Sequence, residues 1–260
     1  EGLPETLDRI VRDDIVKFHA AHYIPNNTLM AVVGDVTEEE IVSKLNRYLK
    51  DWKKGEVVKH VFPNVKSLSQ KIVKPINKKI TQANIVLGHI GIERENPDYY
   101  AAYVMNYILG GGGFTSRLMD NIRDNKGLAY DVHSYFAPMK YSGYFNVGVQ
   151  TKNESAKVAI EEVLREMGRI RKEPVRDKEL EDAKAYLTGS FPLKLDTNKK
   201  IAGMLTAIEF FNLGLDYPDR YPKTINSLTK NDILRVARKY LNPDNYIMVV
   251  VGDLEKAGIR

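Results

Sequence analysis

The stretch Asp14-Ile-Val-Lys-Phe-His-Ala-Ala-His-Tyr-Ile-Pro-Asn-Asn-Thr-Leu-Met-Ala-Val-Val-Gly-Asp-Val36 returns, diverged but ungapped, as Asp232-Ile-Leu-Arg-Val-Ala-Arg-Lys-Tyr-Leu-Asn-Pro-Asp-Asn-Tyr-Ile-Met-Val-Val-Val-Gly-Asp-Leu254. Nine of the 23 aligned positions are identical at a constant offset of 218, including the closing Val-Val-Gly-Asp, and upstream Pro4 and Thr6 meet Pro222 and Thr224. Both copies have the same physical content. Apolar residues at helical spacing end at a turn carrying Pro and Asn. A continuous apolar run closed by Gly-Asp then reads as a buried strand, near Leu29 to Val33 in the first copy.

A unit of about 218 residues whose closing segment already stands at the head of the chain is entered near its end. Residues 1–52 are therefore expected to be the tail of a first unit, most of which would precede Glu1. A polar, lysine-rich connection over residues 53–75, carrying Pro63 and Asn64, leads to a second unit over residues 76–260. The strand edge and apolar face of such a tail need cover, so another polypeptide segment is expected against residues 1–52.

Composition bounds the chemistry. Of 260 residues 43% are hydrophobic and 28% charged, a globular balance with enough apolar side chains for a full core. Cysteine is absent, which excludes a disulfide scaffold, a thiolate zinc site, an iron–sulfur cluster and a cysteine nucleophile, and leaves the compartment undecided. The net charge of +5 is mild, and the lysines between Lys50 and Lys79 and between Lys172 and Lys200 are not interleaved with aromatics, so nucleic acid is not an expected partner. The longest uncharged stretch, Tyr99 to Ser116, contains Asn106 and four glycines, so no bilayer span is expected.

Within the second unit, residues 81–92 read as a strand, and Asn96-Pro97-Asp98 opens a helix that Gly110 to Gly113 are expected to stop. Residues 114–126 read as a short helix capped by Gly127, and 128–139 with 144–152 as a hairpin around Lys140 to Gly143. Helical spacing follows over 154–170, 177 to about 190, 198–212 and 229–240. Strands pooled with a long helical run point to an α+β fold: a two-layer sandwich of a mostly antiparallel sheet with helices on one side.

The motifs outside the repeat carry little chemistry by themselves. Gly110-Gly111-Gly112-Gly113 lacks the Gly-Lys-Ser/Thr of a phosphate loop and the third glycine of a dinucleotide fingerprint, and it follows a helix. It reads as a loop that lets another backbone come close. His19 and His22 lack the Glu of H-E-x-x-H and become Ala237 and Tyr240 in the second copy, so they read as surface or packing residues. His60, His89 and His133 are isolated, and no G-x-S-x-G elbow occurs. No metal is expected on the chain's own residues. Spacing alone puts Arg123 on a solvated helix face and Tyr130 with Leu128 and Val132 on the core face of a strand.

The block Leu109 to Tyr135, LGGGGFTSRLMDNIRDNKGLAYDVHSY, resembles the second half of pitrilysin/insulinase-type zinc metallopeptidases, the group that includes mitochondrial processing peptidase. So do Lys178-Glu-Leu-Glu-Asp-Ala-Lys-Ala-Tyr-Leu187, the Leu195-Asp196-Thr197 turn and both P-x-N…V-V-G-D segments, so that the likeness covers essentially the whole chain. The resemblance implies two similar α+β units that close around an unfolded peptide. It implies zinc in the complete enzyme, held in the first unit by an inverted H-x-x-E-H motif, which this sequence does not contain. The second unit of such enzymes supplies an Arg and a Tyr seven residues apart. Arg123 and Tyr130 match them and would bind substrate carbonyls and an oxyanion. Gly110 to Gly113 match a glycine-rich loop linked to substrate handling. The implied partners are a peptide substrate and an N-terminal catalytic segment or subunit, in a homo- or heterodimer. The same resemblance admits a non-catalytic structural subunit, as in the core proteins of respiratory complexes.

Overall fold

The structure, a computed structural model, describes residues 2–58, 62 and 65–259. Glu1, His60, Pro63, Asn64 and Arg260, on which parts of the sequence reading fall, lie outside them. The chain divides into two compact units, Glu1–Pro63 with Lys194–Phe210, and Asn64–Leu193 with Phe211–Arg260.

In chain order the first unit opens with helices α1 (Pro4–Leu7), α2 (Arg12–His22) and α3 (Glu38–Tyr48). The second unit carries β1 (Ile72–Asn77), β2 (Gln82–Ile90), α4 (Tyr99–Asn106), β3 (Ala129–Ala137), β4 (Tyr144–Lys152), α5 (Ala156–Lys172) and α6 (Asp177–Gly189). Helix α7 (Asn198–Phe210) groups with the first unit, and α8 (Tyr217–Ser227), α9 (Lys230–Tyr240), β5 (Ile247–Gly252) and α10 (Leu254–Ala257) complete the second.

The α+β reading holds. One five-stranded open sheet has the order β1-β5-β2-β4-β3, antiparallel throughout except for β1 beside β5. Period-two alternation gives it one buried face, with Ile85 and Leu87 of β2 opposite Val149 and Val147 of β4, and opposite Val250 and Met248 of β5. Helix α4 packs on β3 and α5 on β4, and α9 packs on both helices. Ala159, Val163, Met167 and Ile170 recur at helical spacing on the buried side of α5, and Ile233, Val236 and Ala237 do so on α9. Each large side chain sealed in this layer, such as Phe145, Met105 or Ile233, stabilises the fold by roughly 1.5–3 kcal/mol.

Three sequence expectations need correction, and one helix lies where none was expected. The strand expected near Leu29 to Val33 is not formed: the segment has no ladder partner among the described residues. Strand β1 lies within and just beyond the stretch read as connection, because its backbone groups pair with β5 from Ile72 onward. Helix α8 was hidden by Pro218 and Pro222. Pro218 sits in the first turn, where no amide partner is needed; Pro222 lies inside the helix. Finally, the helical run does end within Gly110 to Gly113, but its last turn is not α-helical. The chain runs from α4 into a π-helical segment, Tyr107–Gly111, and the helix expected over 114–126 is a 3-10 turn (Gly113–Thr115) followed by a second π-helical segment (Met119–Asn125).

Candidate functional site

The two π segments, the glycine turn between them and the edge strand β3 enclose an open groove of about 590 Å³. It is lined by Tyr103, Tyr107, Gly110, Phe114, Met119, Arg123, Tyr130 and His133, with others, so Arg123, Tyr130 and the glycines stand in one place. Single π turns are rare in helices and recur at functional sites, because the extra residue re-aims the side chains on that turn.

Each wall has a local cause. Gly110 lies where a Cβ would come within 2.5 Å of Ser134 Oγ and 2.7 Å of the Ser134 backbone nitrogen, so only glycine lets the π segment press against β3. The same contact is tied by Asn106, whose Nδ2 donates to Ser134 O at 3.1 Å and whose Oδ1 accepts from Ser134 Oγ at 2.9 Å. Gly113, at φ +58, takes the left-handed turn that sends Phe114 back across the groove. Behind it, Arg117 grips Glu179 with two bonds of 2.8 Å and so fixes the exit of the turn to the start of α6. Burial pushes the Glu179 carboxyl up, but the bonds from Arg117, from the Arg176 backbone amide and from the Arg176 side chain prevail and hold it at about 2.

Tyr130 is placed by a β-bulge. The β3–β4 register steps from Ala129 directly to Asp131, leaving Tyr130 as the extra residue. Its ring is thrown off the core face to 76% exposure. This corrects the expectation that Tyr130 shares the core face with Val132: alternation fails at the bulge. Gly127, at φ +61, ends the π segment, its amide bonding Arg123 O at 2.9 Å, and so brings the Arg123 turn next to the bulge.

Arg123 itself is held by ring faces. Its guanidinium carbon lies 4.5 Å from the Phe114 ring centre and 5.4 Å from that of Tyr130. Among the described residues no carboxylate pairs with it. Nearby, His133 Nδ1 lies 3.0 Å from Asp131 Oδ2 on the solvent side of β3. Burial pushes the phenols of Tyr103 and Tyr107 up, so both are neutral at physiological pH. A larger hollow of about 800 Å³ on the open sheet face is lined by Val86, Ile247 and Val249, among others. Its His89 is already committed, Nδ1 to Ile90 O at 2.8 Å and Nε2 to the Asn242 amide at 3.2 Å.

The other two described histidines make ring contacts, His19 on Tyr23 at 4.7 Å and His22 on Phe18 at 4.3 Å. Among the described residues no three His, Asp or Glu side chains come close enough to share a metal, so the residues present do not fit a zinc site. No helix among them is long and apolar enough to cross a membrane.

The edge strand, the glycine turn, Arg123 and Tyr130 thus face one open groove. The chain belongs to the peptidase M16 family: residues 9–187 match the description "Peptidase M16 inactive domain". It is similar to an "Uncharacterized zinc protease" of Rickettsia bellii, 28% identical over 92% of this chain and 57% of that protein. It is also similar to the "Non-peptidase homolog YmxG" of Helicobacter pylori, 30% identical over 93% of this chain and 54% of that one. The crystal structure of a peptidase M16 inactive domain from Pseudomonas fluorescens superposes with a TM-score of 0.87 at 30% identity, covering 96% of this chain and 59% of the other. The chain thus spans little more than half the length of the relatives it matches.

Proposed function

We propose that this chain is the peptide-holding part of a zinc-peptidase assembly, with Arg123 and Tyr130 donating hydrogen bonds to main-chain carbonyls of an extended peptide lying along the groove. Its partner is a catalytic segment or subunit that holds the zinc on residues outside this chain. The observation that carries the reading is Arg123: a permanent cation lining the groove, with its guanidinium over the Phe114 and Tyr130 rings and no carboxylate partner among the described residues, leaves its N–H donors available to a peptide. Tyr130, exposed on its bulge, adds a phenol O–H donor beside it. Gly110 to Gly113 shape the groove and carry Phe114.

The test is binding of an end-blocked, fluorescein-labelled unstructured peptide, read by anisotropy. A hydrogen bond to a charged donor is worth roughly 1.5–3 kcal/mol, so Arg123→Ala is expected to weaken binding about 10- to 150-fold, and Tyr130→Phe less. Affinity within twofold of wild type in both variants would sink the assignment.

A second reading, a structural subunit without catalysis, is favoured by one relative's name, "Non-peptidase homolog YmxG". Peptidase turnover by the whole protein with its partner, abolished by a chelator and lowered by Arg123→Ala, excludes it. No turnover, with a stable complex, supports it.

A further inference from the structure

Phe114 is exposed over 67% of its surface at the tip of the glycine turn, an unusual place for a phenylalanine with no core to fill. Its ring lies closer to the Arg123 guanidinium than Tyr130 does, at 4.5 Å against 5.4 Å. The turn that carries it is fastened on both sides: Gly110 is wedged against Ser134, and Arg117 is locked to Glu179. Gly111 to Gly113, the last in the left-handed region, and Thr115-Ser116 are the short links between these anchors and the ring.

We propose that Phe114 is a positioning residue that holds Arg123 over the groove by cation–π contact, so that the four-glycine turn works as an arm whose cargo is an aromatic ring. This rests on the reading of Arg123 as the carbonyl-binding group. A long arginine side chain without an ion pair samples many rotamers, and fixing it in advance removes part of the ordering cost from peptide binding. The ring must be aromatic for this. An aliphatic side chain of similar bulk packs against the arginine stem but has no negative π face for the guanidinium.

The test separates the two ideas. In the whole protein with isotope-labelled arginine, the Arg123 Nε–H resonance, assigned by Arg123→Lys, reports the ring current of a stacked aromatic. Phe114→Leu is expected to move it toward the position of a solvated arginine, and Phe114→Tyr to leave it in place. Affinity for the end-blocked fluorescein peptide is expected to fall about 2- to 5-fold in Phe114→Leu, the scale of an exposed cation–π contact, and to be restored in Phe114→Tyr. An unmoved resonance in Phe114→Leu, equal movement in both variants, or a moved resonance with unchanged affinity while Arg123→Ala still weakens binding overturns the proposal. If Arg123→Ala also leaves affinity unchanged, it is the peptide reading that fails, and the resonance alone decides whether Phe114 holds Arg123.

Discussion

The two copies of the repeat share their sequence pattern and differ in almost everything around it. Ile15 of α2 is 62% exposed, whereas its counterpart Ile233 of α9 is sealed at 0%; Val32 is 47% exposed, and Val250 of β5 again 0%. Both helices form, and both begin with the same aspartate bonding back to the cap: Asp14 accepts from the Val11 amide at 3.1 Å, and Asp232 from the Thr229 amide at 2.9 Å. Only the second copy makes a strand, because β5 is inserted between β1 and β2 while Leu29 to Val33 has no such neighbours among the described residues. A helix closes its hydrogen bonds within its own segment, but a strand closes them only on another. The same residues therefore carry the helix anywhere and the strand only in company.

That contrast can be broken by experiment. The largest effect is expected from the aligned pair Ile233→Ala and Ile15→Ala. The first empties a sealed site and should lower stability in urea unfolding by about 2–5 kcal/mol, the second by about 0.5 kcal/mol or less. Equal losses would mean that the first copy is as well packed as the second.

Next comes Asp98, which only the second copy engages, through Tyr240 at 2.7 Å, Lys239 at 3.0 Å and Arg235 at 2.7 Å. Burial pushes its carboxyl up, but those three bonds outweigh it and hold it at about 2, below the ordinary 3.8. A carboxyl depressed by folding adds stability above pH 3.8 and loses it as the pH falls toward 2. With Arg235 and Lys239 half exposed, we expect on the order of 1–2 kcal/mol, and Asp98→Asn should flatten that acid limb.

The caps come third. Thr229→Ala is expected to cost about 1 kcal/mol, while Val11→Thr, supplying the oxygen that the first copy lacks, should stabilise α2 by a comparable or smaller amount. A helix content unchanged by Val11→Thr would show that α2 is not limited by its cap.

The smallest effect is from His89. Burial lowers its affinity for a proton, despite its bond to Ile90 O. A base depressed by folding contributes fully above the ordinary 6.5 and progressively less as the pH falls below it, so stability should decline mildly with acid, and the decline should vanish in His89→Gln.

What the sequence made legible follows from the same contrast. Period two marked β2 and β4, and helical spacing marked α4, α5, α6 and α9, since each pattern repeats inside one segment. The missed elements depend on something further away. Strand β1 is mostly exposed, without a clean alternation, and is recognisable only by its parallel partner β5. Helix α8 carries two prolines that speak against it locally. At the groove, Arg123 and Tyr130 were marked by resemblance, but their meeting was not visible. It depends on a one-residue bulge in β3 and on a π segment, each of which shifts the phase of the side chains without leaving a signature in composition. Phe114 carries no local signal of its own: an aromatic beside glycines fits a core as well as a surface until its arginine partner, nine positions on, is known to face it.

The π segment at Met119–Asn125 has a consequence for how this region tolerates change in length. A π turn houses one residue more than an α turn, so removing one residue there would restore ordinary α geometry and re-aim the side chains within the segment, while the elements that follow keep their places. Such a deletion would leave the sheet and α5 intact yet carry the guanidinium away from its two rings. The placement of Arg123 and the fold of the sheet would then be separable by the loss of a single residue.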